Sequence, residues 1–375
     1  MSTARPTIFS FFSGAGFLDL GFEDMGFDIA YVNEFHKPFL DAYQHSRKVM
    51  GHPAPRFGYD SRSIEEISTD DLAADIFNAR EEGQVVGFIG GPPCPDFSVG
   101  GKNRGKEGEN GNLSKVYVDL ICQAKPDFFL FENVKGLYRT KKHREFFEKL
   151  KLKLRRSGYL LHERLINSIE YGAPQDRDRI ILVGFRSREL AKTFNWKARI
   201  FPERTAFEYE WPTTAPFEQG NLAPQPSSVP IELTVQHWFE KNDVANHPNG
   251  KHCFTPRAGL ARFLSVEEGD DSKKSYKRLH RWRYSPTAAY GNNEVHLHPY
   301  EARRISVAEA LAIQSLPASF ELPSNMTLSN MFKTVGNGVP YLAGRGLAQS
   351  ILTHLGFEYE SNRCELDPRD RQVAA

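Results

Sequence analysis

Ile8-Phe9-Ser10-Phe11-Phe12-Ser13-Gly14-Ala15-Gly16 is the stretch whose reading decides the fold. Ile8–Phe12 is a short apolar, β-rich run, and two glycines follow it at once, so the pattern predicts a buried strand ending in a sharp turn. Glycine there lets the backbone turn tightly and approach a ligand at the strand's carboxyl edge. The spacing is not G-x-G-x-x-G, because Asp19 stands where the third glycine belongs and the next glycine is Gly21. A dinucleotide pyrophosphate is therefore disfavoured, and a smaller nucleotide-like ligand is favoured.

Outward from this turn, similar runs recur at Ile29–Val32, Val85–Ile89, Phe128–Phe131, Leu160–Ile166 and Ile180–Phe185. Between several of them the apolar residues take helical spacing, as with Phe146, Phe147, Leu150 and Leu154. Strands alternating with helices predict an α/β domain with a mainly parallel sheet. From about Phe194 to Tyr284 the periodicity gives way to Pro- and aromatic-rich sequence, which predicts a second, irregular domain. Order returns near the end. Ser306-Val307-Ala308-Glu309 reads as a capping box opening a helix through Ile313, and another helix follows Pro340. The expected division is 1–190 for the first domain, 191–325 for the second, and 326–375 for a segment returning to the first.

A chain of 375 residues with 40% hydrophobic residues can bury a substantial core. Cys94, Cys122, Cys253 and Cys364 are far apart with no C-x-x-C pair, so neither a metal site nor a disulfide framework is expected, and a reducing cytoplasm fits. No stretch approaches the roughly 20 apolar residues of a membrane span, and Ile8–Phe12 is too short for a signal-peptide core. A net charge of +1 decides nothing about nucleic acid, because the placement of charges matters more than their sum.

Two positions carry chemistry. Glu34 ends the second strand 18 residues after Gly16, where a carboxylate can accept hydrogen bonds from both hydroxyls of a ribose, and Phe35 beside it can stack on an adenine. Gly90-Gly91-Pro92-Pro93-Cys94-Pro95-Asp96-Phe97-Ser98 follows another strand, and prolines on both sides restrict the backbone of Cys94. A lone cysteine is more often a buried small hydrophobe. The rigid, Gly-flanked setting at a strand end points to function instead.

Pro93-Cys94 followed by Phe97-Ser98 resembles the signature of the DNA (cytosine-5) methyltransferase family. Other blocks resemble that family's motifs in order: Phe12-Ser13-Gly14-Ala15-Gly16, Asn33-Glu34, Glu132-Asn133-Val134 and Gln175-Asp176-Arg177-Asp178-Arg179 come first. Ser285-Pro286-Thr287, Arg303-Arg304 through Pro317, and Gly336-Asn337-Gly338-Val339-Pro340 complete the set. The resemblance implies a Rossmann-like S-adenosylmethionine-dependent domain plus a smaller target-recognition domain. It also implies methyl transfer to cytosine C5 in double-stranded DNA.

The resemblance further implies that Cys94 is the nucleophile, Glu132 the partner of N3 and the exocyclic amine, and Arg179 the partner of O2, with Arg177 supporting or replacing it. It assigns cofactor contacts to Phe12, Ser13, Gly14, Ala15, Gly16, Glu34, Phe35, Asp60, Pro92, Leu113 and Asn337. Asp60 would meet the adenine amine, although Ser61-Arg62-Ser63 departs from the usual pattern there. The chemistry suits these residues: C5 is a poor nucleophile until a group adds to C6, and a thiolate is strongly nucleophilic even when only a few per cent ionised.

A paired base is out of reach, so the target must be flipped out at a cost of a few kcal/mol. The glycine-rich basic segment Gly100–Gly111 is expected to close on DNA as a mobile loop. Lys273–Arg283, with six basic residues, no acidic ones and interleaved aromatics, is the expected nucleic-acid patch. Lys135–Arg164 holds eleven Lys/Arg against three Glu, but its helical spacing suits a solvated helix face.

One residue departs from the family: Pro95 stands where Gln is usual. An RNA-directed branch carries Cys-Phe-Thr, matched by Cys253-Phe254-Thr255, but the Gly- and Tyr-rich sequence expected after it is absent and Ser98 differs from its usual Thr. A silent DNA-binding protein is disfavoured by Cys94, Glu132 and Arg179 together. The chain reads as a monomeric, cytoplasmic, nucleoid-associated enzyme of the kind that partners a restriction endonuclease.

Overall fold

The computed structural model describes residues 5–93, 109–196, 198–220, 223–256, 260–273, 275–290 and 294–357. Seven strands form one sheet: β1 (Thr7–Phe11), β2 (Asp28–Asn33), β3 (Tyr59–Asp60), β4 (Val86–Gly90), β5 (Phe128–Val134), β6 (Leu160–Asn167) and β7 (Asp178–Phe185). Their order is β3-β2-β1-β4-β5-β7-β6. Only β7 runs against its neighbours, pairing antiparallel with both β5 and β6. The six apolar runs of the sequence are all strands, and the two-residue β3 is an addition too short to leave a periodic signal.

Both sheet faces are buried, and the period-2 alternation of side chains divides them cleanly. Phe9, Phe11, Phe88, Phe129 and Phe131 enter one core with α3 (Thr69–Glu81), α4 (Glu109–Ala124) and α5 (Lys141–Arg156). Ile8, Ile89, Phe128 and Leu130 enter the other, with α1 (Phe17–Asp24), α2 (Lys37–Val49) and the C-terminal helix α11 (Tyr341–His354). Two covered faces explain why these strands read as continuous hydrophobic runs.

After β7 come short helices only: α6 (Arg188–Thr193), α7 (Val235–Lys241), α8 (Leu260–Ser265) and α9 (Val307–Ile313), then α10 (Leu328–Asn337) before α11. Helix α9 has the expected capping box: Ser306 Oγ accepts from Glu309 N, and the Glu309 carboxylate accepts from Ser306 N. A third apolar cluster joins Ala15, Phe17 and Leu20 to Trp238, Leu279, Leu311, Phe320 and Phe332. The irregular half is thus anchored on the outer side of α1, directly behind the first glycine turn.

The strand order reverses between β1 and β4. In an open α/β sheet, that reversal opens a crevice at the carboxyl ends of the strands where ligands bind.

Candidate active site

At the crevice the chain leaves β1 in a strained turn. Phe12 has φ 53°, Gly14 58° and Gly16 78°, so a non-glycine residue occupies the left-handed region beside two glycines. Ser13 fastens the turn to β2 by donating both its N–H (3.2 Å) and its hydroxyl (3.1 Å) to the Asn33 carbonyl. Gly16 has a second requirement beyond φ, because a Cβ there would lie 2.4 Å from the Tyr43 ring.

Glu34 stands at the end of β2, and its carboxylate accepts from the Gly14 N–H and the His36 N–H, each at 2.8 Å. Each oxygen therefore keeps a free lone pair for a hydroxyl. Burial raises the Glu34 pKa, while the two N–H groups and Lys333 on α10 hold the rise back. Phe35 is 69% exposed, an unusual state for phenylalanine, and presents a free ring beside this carboxylate. Gly14 has no neighbouring atom in the space of a Cβ, which leaves that side of the turn open. An accepting carboxylate, an exposed ring and an open backbone turn fit a nucleoside-bearing cofactor.

Of the other expected cofactor residues, Asp60 and the Asn337-Gly338 step lie near the same turn. Leu113 and Phe12 pack as partly buried neighbours of the first core. Asn337 is exposed at the end of α10, and Gly338 after it closes on α1, since a Cβ there would lie 2.2 Å from the Phe17 ring. The late Gly-Asn-Gly block thus abuts the first turn. Asp60 pairs with Asn33 in the sheet, beside Glu34, but its carboxylate already accepts from Tyr31 Oη at 2.8 Å and from Arg62 N and Nη2 at 2.9 and 2.7 Å. Burial pushes the Asp60 pKa up, yet Arg62 and Tyr31 outweigh it and hold the group below its ordinary value. An adenine amine would find those lone pairs taken.

Glu132 lies inside β5 opposite Ile181, not at its end, because the strand continues through Val134. Its Oε1 is 2.8 Å from Arg179 Nε, and the two residues are 8% and 9% exposed. Arg179 sits at the start of β7. An antiparallel strand begins where its neighbour ends, so β7's reversal carries Arg179 to the carboxyl edge, opposite Val134. Burial raises the Glu132 pKa, with Arg179 and then Arg177 pulling it back.

Two further residues tie Glu132 to the strand-end turn that leads to Cys94. A Cβ on Gly91 would lie 2.6 Å from Glu132 Oε2, so only glycine admits this carboxylate. Asn133 Nδ2 donates to the Pro92 carbonyl at 3.3 Å and fixes the turn against β5. Cys94, Pro95 and residues through 108 lie outside the described residues. Most of the expected glycine-rich segment Gly100–Gly111 lies there too, and its end is helical, because α4 begins at Glu109 and takes in Gly111.

Arg177 differs from Arg179. It is fully buried, and its guanidinium donates to the carbonyls of Ala288 (2.8 Å) and Gly336 (2.7 Å). Gln175 extends this brace: its Oε1 accepts from Ala288 N at 3.0 Å, and its Nε2 reaches Gln314 Oε1 at 3.2 Å. Gln314 in turn donates to the carbonyls of Val335 and Gly338. A polar girder therefore connects β7, the Ser285–Ala288 segment, α9 and α10 beneath the site. Gln314 left no signal in the sequence because its partners are distant, whereas Asn167, which accepts from Arg177 N at 3.2 Å, is marked by a local capping box with Glu170.

The structure corrects the expected basic patch Lys273–Arg283 in part: Lys273 is exposed and Lys277 and Arg283 partly so, but two of its arginines are internal. Arg278 is fully buried and donates to the carbonyls of Val266, Phe263, His298 and Glu301. Arg281 is 3% exposed and pairs with Glu268 at 2.8 Å, and His280 is also buried. Irregular backbone leaves many carbonyls unpaired, and guanidinium groups satisfy several at once. Cys253 is likewise structural, with its Sγ donating to the Arg304 carbonyl at 3.1 Å and burial raising its pKa.

Comparison with known proteins bears on this geometry. The family model described as C-5 cytosine-specific DNA methylase matches residues 7–353. The chain is 62% identical to Type II methyltransferase M.NmeDI of Neisseria meningitidis serogroup C over 368 residues, covering 96% of this chain and 87% of that protein. It is 36% identical to Type II methyltransferase M.FnuDI of Fusobacterium nucleatum, covering 89% and 90%. Among solved structures, a prophage-encoded E. coli protein superposes with TM-score 0.65 at 20% identity over 94% of this chain and all of the other. The S. pombe Dnmt2 methyltransferase does so with TM-score 0.60 at 15% identity and the same coverage.

Proposed function

The chain belongs to the C-5 cytosine-specific DNA methylase family, as a Type II DNA (cytosine-5) methyltransferase, and on that premise we propose that it acts on a flipped cytosine through a covalent adduct to Cys94. The observation that carries the proposal is the buried Glu132–Arg179 pair, 2.8 Å apart and packed against Gly91, which precedes Cys94 by three residues in the chain.

The Cys94 thiolate adds to C6, and the ring electrons shift toward C5, N3 and O2. Glu132, its pKa raised by burial, holds a proton against N3 and accepts from the exocyclic amine, which distinguishes cytosine from thymine. Arg179 stabilises the charge growing on O2, a preorganised interaction typically worth several kcal/mol. When bound, S-adenosylmethionine supplies an electrophilic methyl group. Once C5 carries the methyl, the C5 proton passes to water, the C5–H electron pair restores the C5–C6 double bond, and the C6–S bond breaks to release the Cys94 thiolate. Phe12–Gly16, Glu34 and Phe35 are the residues that would hold the cofactor's nucleoside and amino-acid ends, with Pro92, Leu113 and Asn337 at the rim. Arg177 acts as a positioning residue, and Asp60 contributes only if Arg62 releases it.

Residues 191–325 read duplex DNA in this account, with the chain a cytoplasmic monomer that modifies host DNA opposite a restriction endonuclease. The test is methyl transfer from labelled S-adenosylmethionine to duplex DNA and to transfer RNA, by wild type and Cys94→Ala. Label in DNA from the wild type only is expected. Equal labelling by both proteins overturns the covalent step, and labelling of RNA alone overturns the DNA substrate. Bisulfite sequencing of the product then reads the target site.

A further inference from the structure

Directly beneath the first glycine turn lies a cluster of charges that the proposed chemistry does not use. Arg47, on α2, is 1% exposed; its Nη2 donates to the Gly16 carbonyl at 2.7 Å and its Nε lies 2.7 Å from Glu23 Oε2. Its guanidinium also stacks over the Tyr43 ring at 4.4 Å, and that same ring fills the space a Cβ on Gly16 would need. The Gly16 carbonyl accepts as well from Leu20 N at 2.9 Å, the first hydrogen bond of α1. One arginine therefore clamps the junction between the turn and its helix from below.

The charges do not balance. Asp19 and Glu23, one turn apart on α1, face this single cation, and Asp19 is 1% exposed. The Ser10 and Tyr43 hydroxyls also reach the Asp19 carboxyl, but neither carries a charge to offset the second acid. An unpaired buried charge is far costlier than a protonated carboxyl, so the pair keeps a proton where two anions would otherwise share one arginine. Glu23 also lines a surface recess of about 290 Å³ with His52, Phe27 and Gln84, which gives that proton a route to solvent.

We propose that Asp19, Glu23 and Arg47 are positioning residues for the cofactor turn, and that their shared proton is released when the cationic cofactor binds. The inference rests on the reading of Phe12–Gly16 as the S-adenosylmethionine site. The cofactor brings a sulfonium charge to a turn whose underside is this cluster, and a nearby cation favours the cluster's fully ionised state. Binding and deprotonation then reinforce one another by linkage.

The titration falls where such a device works. Burial lifts the Asp19 carboxyl to about 6, with Arg47 restraining it, and lifts Glu23 to about 7 against the same restraint. Arg5 and Asp28 also line the recess beside Glu23, and Asp28 is paired with Arg56 at 3.0 Å. His52 Nδ1 is 3.9 Å from Glu23, and burial and Arg47 lower its pKa. Tyr43, Tyr59 and Tyr117 are all raised by burial and stay neutral. Asp24 on α1 accepts from the Tyr341 hydroxyl of α11, the helix that packs on α1 and brings Arg345 to Gly21 by its backbone.

The experiment is titration calorimetry of the full chain with S-adenosylmethionine at pH 7 in two buffers of different ionisation enthalpy, which counts protons released. Wild type should release on the order of a few tenths of a proton, and its affinity should rise from pH 5.5 to 8. S-adenosylhomocysteine, which lacks the sulfonium charge, should release less than half as much. Glu23→Gln keeps an acceptor for Arg47 and should bind within about fivefold of wild type while losing both the release and the pH dependence. Arg47→Met should weaken cofactor binding about tenfold or more, leaving the DNA affinity within about twofold. Release unchanged in both Glu23→Gln and Asp19→Asn, or an affinity flat with pH in the wild type, overturns the proton linkage. Failure of the wild type to bind S-adenosylmethionine overturns the cofactor reading of the turn itself.

Discussion

Glu132 and Gly91 make a pair in which a missing side chain is as necessary as a present one. The carboxylate occupies the space a Cβ on Gly91 would need, 2.6 Å from Oε2, so Gly91→Ala must push Glu132 away from the turn that carries Cys94. Steady-state assay of Gly91→Ala is expected to show kcat reduced about tenfold or more with the S-adenosylmethionine KM within about threefold, since small misplacements at a reacting centre are costly. An unchanged kcat would place the reacting base elsewhere. Glu132→Gln removes the proton offered to N3 and is expected to lower kcat about 10²-fold or more. Glu132 was legible in the sequence from its motif. Gly91 was visible only as one glycine of a turn, because its steric role depends on β5 lying alongside.

Among the elements, β7 contributes most to the site and was least readable. Its apolar run identified a strand, but strand direction is set by pairing across the sheet, and a continuous hydrophobic run looks the same in both directions. Without the reversal, Arg179 would sit at the opposite edge from Glu132. The basic run Lys273–Arg283 was misread in part for a related reason: a basic run in sequence looks like a surface, whereas Arg278 and Arg281 are internal struts for backbone without regular hydrogen bonds. Arg278→Met is therefore expected to lose stability by about 3 kcal/mol in urea unfolding. Its DNA binding should keep the salt dependence of wild type, whereas loss of a true phosphate contact reduces the slope of log K against log salt by about 1. Such a reduction would return the patch to the DNA surface. The capping box of α9, by contrast, was fully legible because its hydrogen bonds span only three residues.

Over the whole molecule, the buried acids of α1 and the buried histidines contribute to the pH dependence of stability with opposite signs. Asp19 and Glu23, at about 6 and about 7, lie above their ordinary values of 3.8 and 4.5, so between these limits the folded chain binds more protons than the unfolded one. Their contribution is full at low pH and is lost as pH rises through about 7. Asp178 works the other way: burial raises it, but Lys135, Asn167 and Arg204 bring it below its ordinary value, so its contribution is lost only in more acid solution. Burial works against the trend of the α1 acids in the histidines: His280 is lowered to about 4 and His296 and His298 to about 3, so their neutral forms favour the folded chain more as pH rises. The acids are therefore read by difference: the urea midpoint of Glu23→Gln should gain on wild type as pH rises from 5.5 to 8, and a difference that does not change with pH would contradict this. The family's ordered blocks made the overall function legible, because residues far apart in sequence, such as Gly14, Glu34, Glu132 and Arg179, come to the carboxyl edge of one sheet. The central claim is that Cys94 adds to the base, and its most direct test is denaturing mass spectrometry of the protein after incubation with S-adenosylmethionine and duplex DNA carrying 5-fluorocytosine at the target position. Fluorine at C5 cannot leave as a proton does, so the account predicts a stable protein–DNA adduct that maps to Cys94 and is absent from Cys94→Ala. An adduct on another residue, or methylation by Cys94→Ala at the wild-type rate, would contradict it.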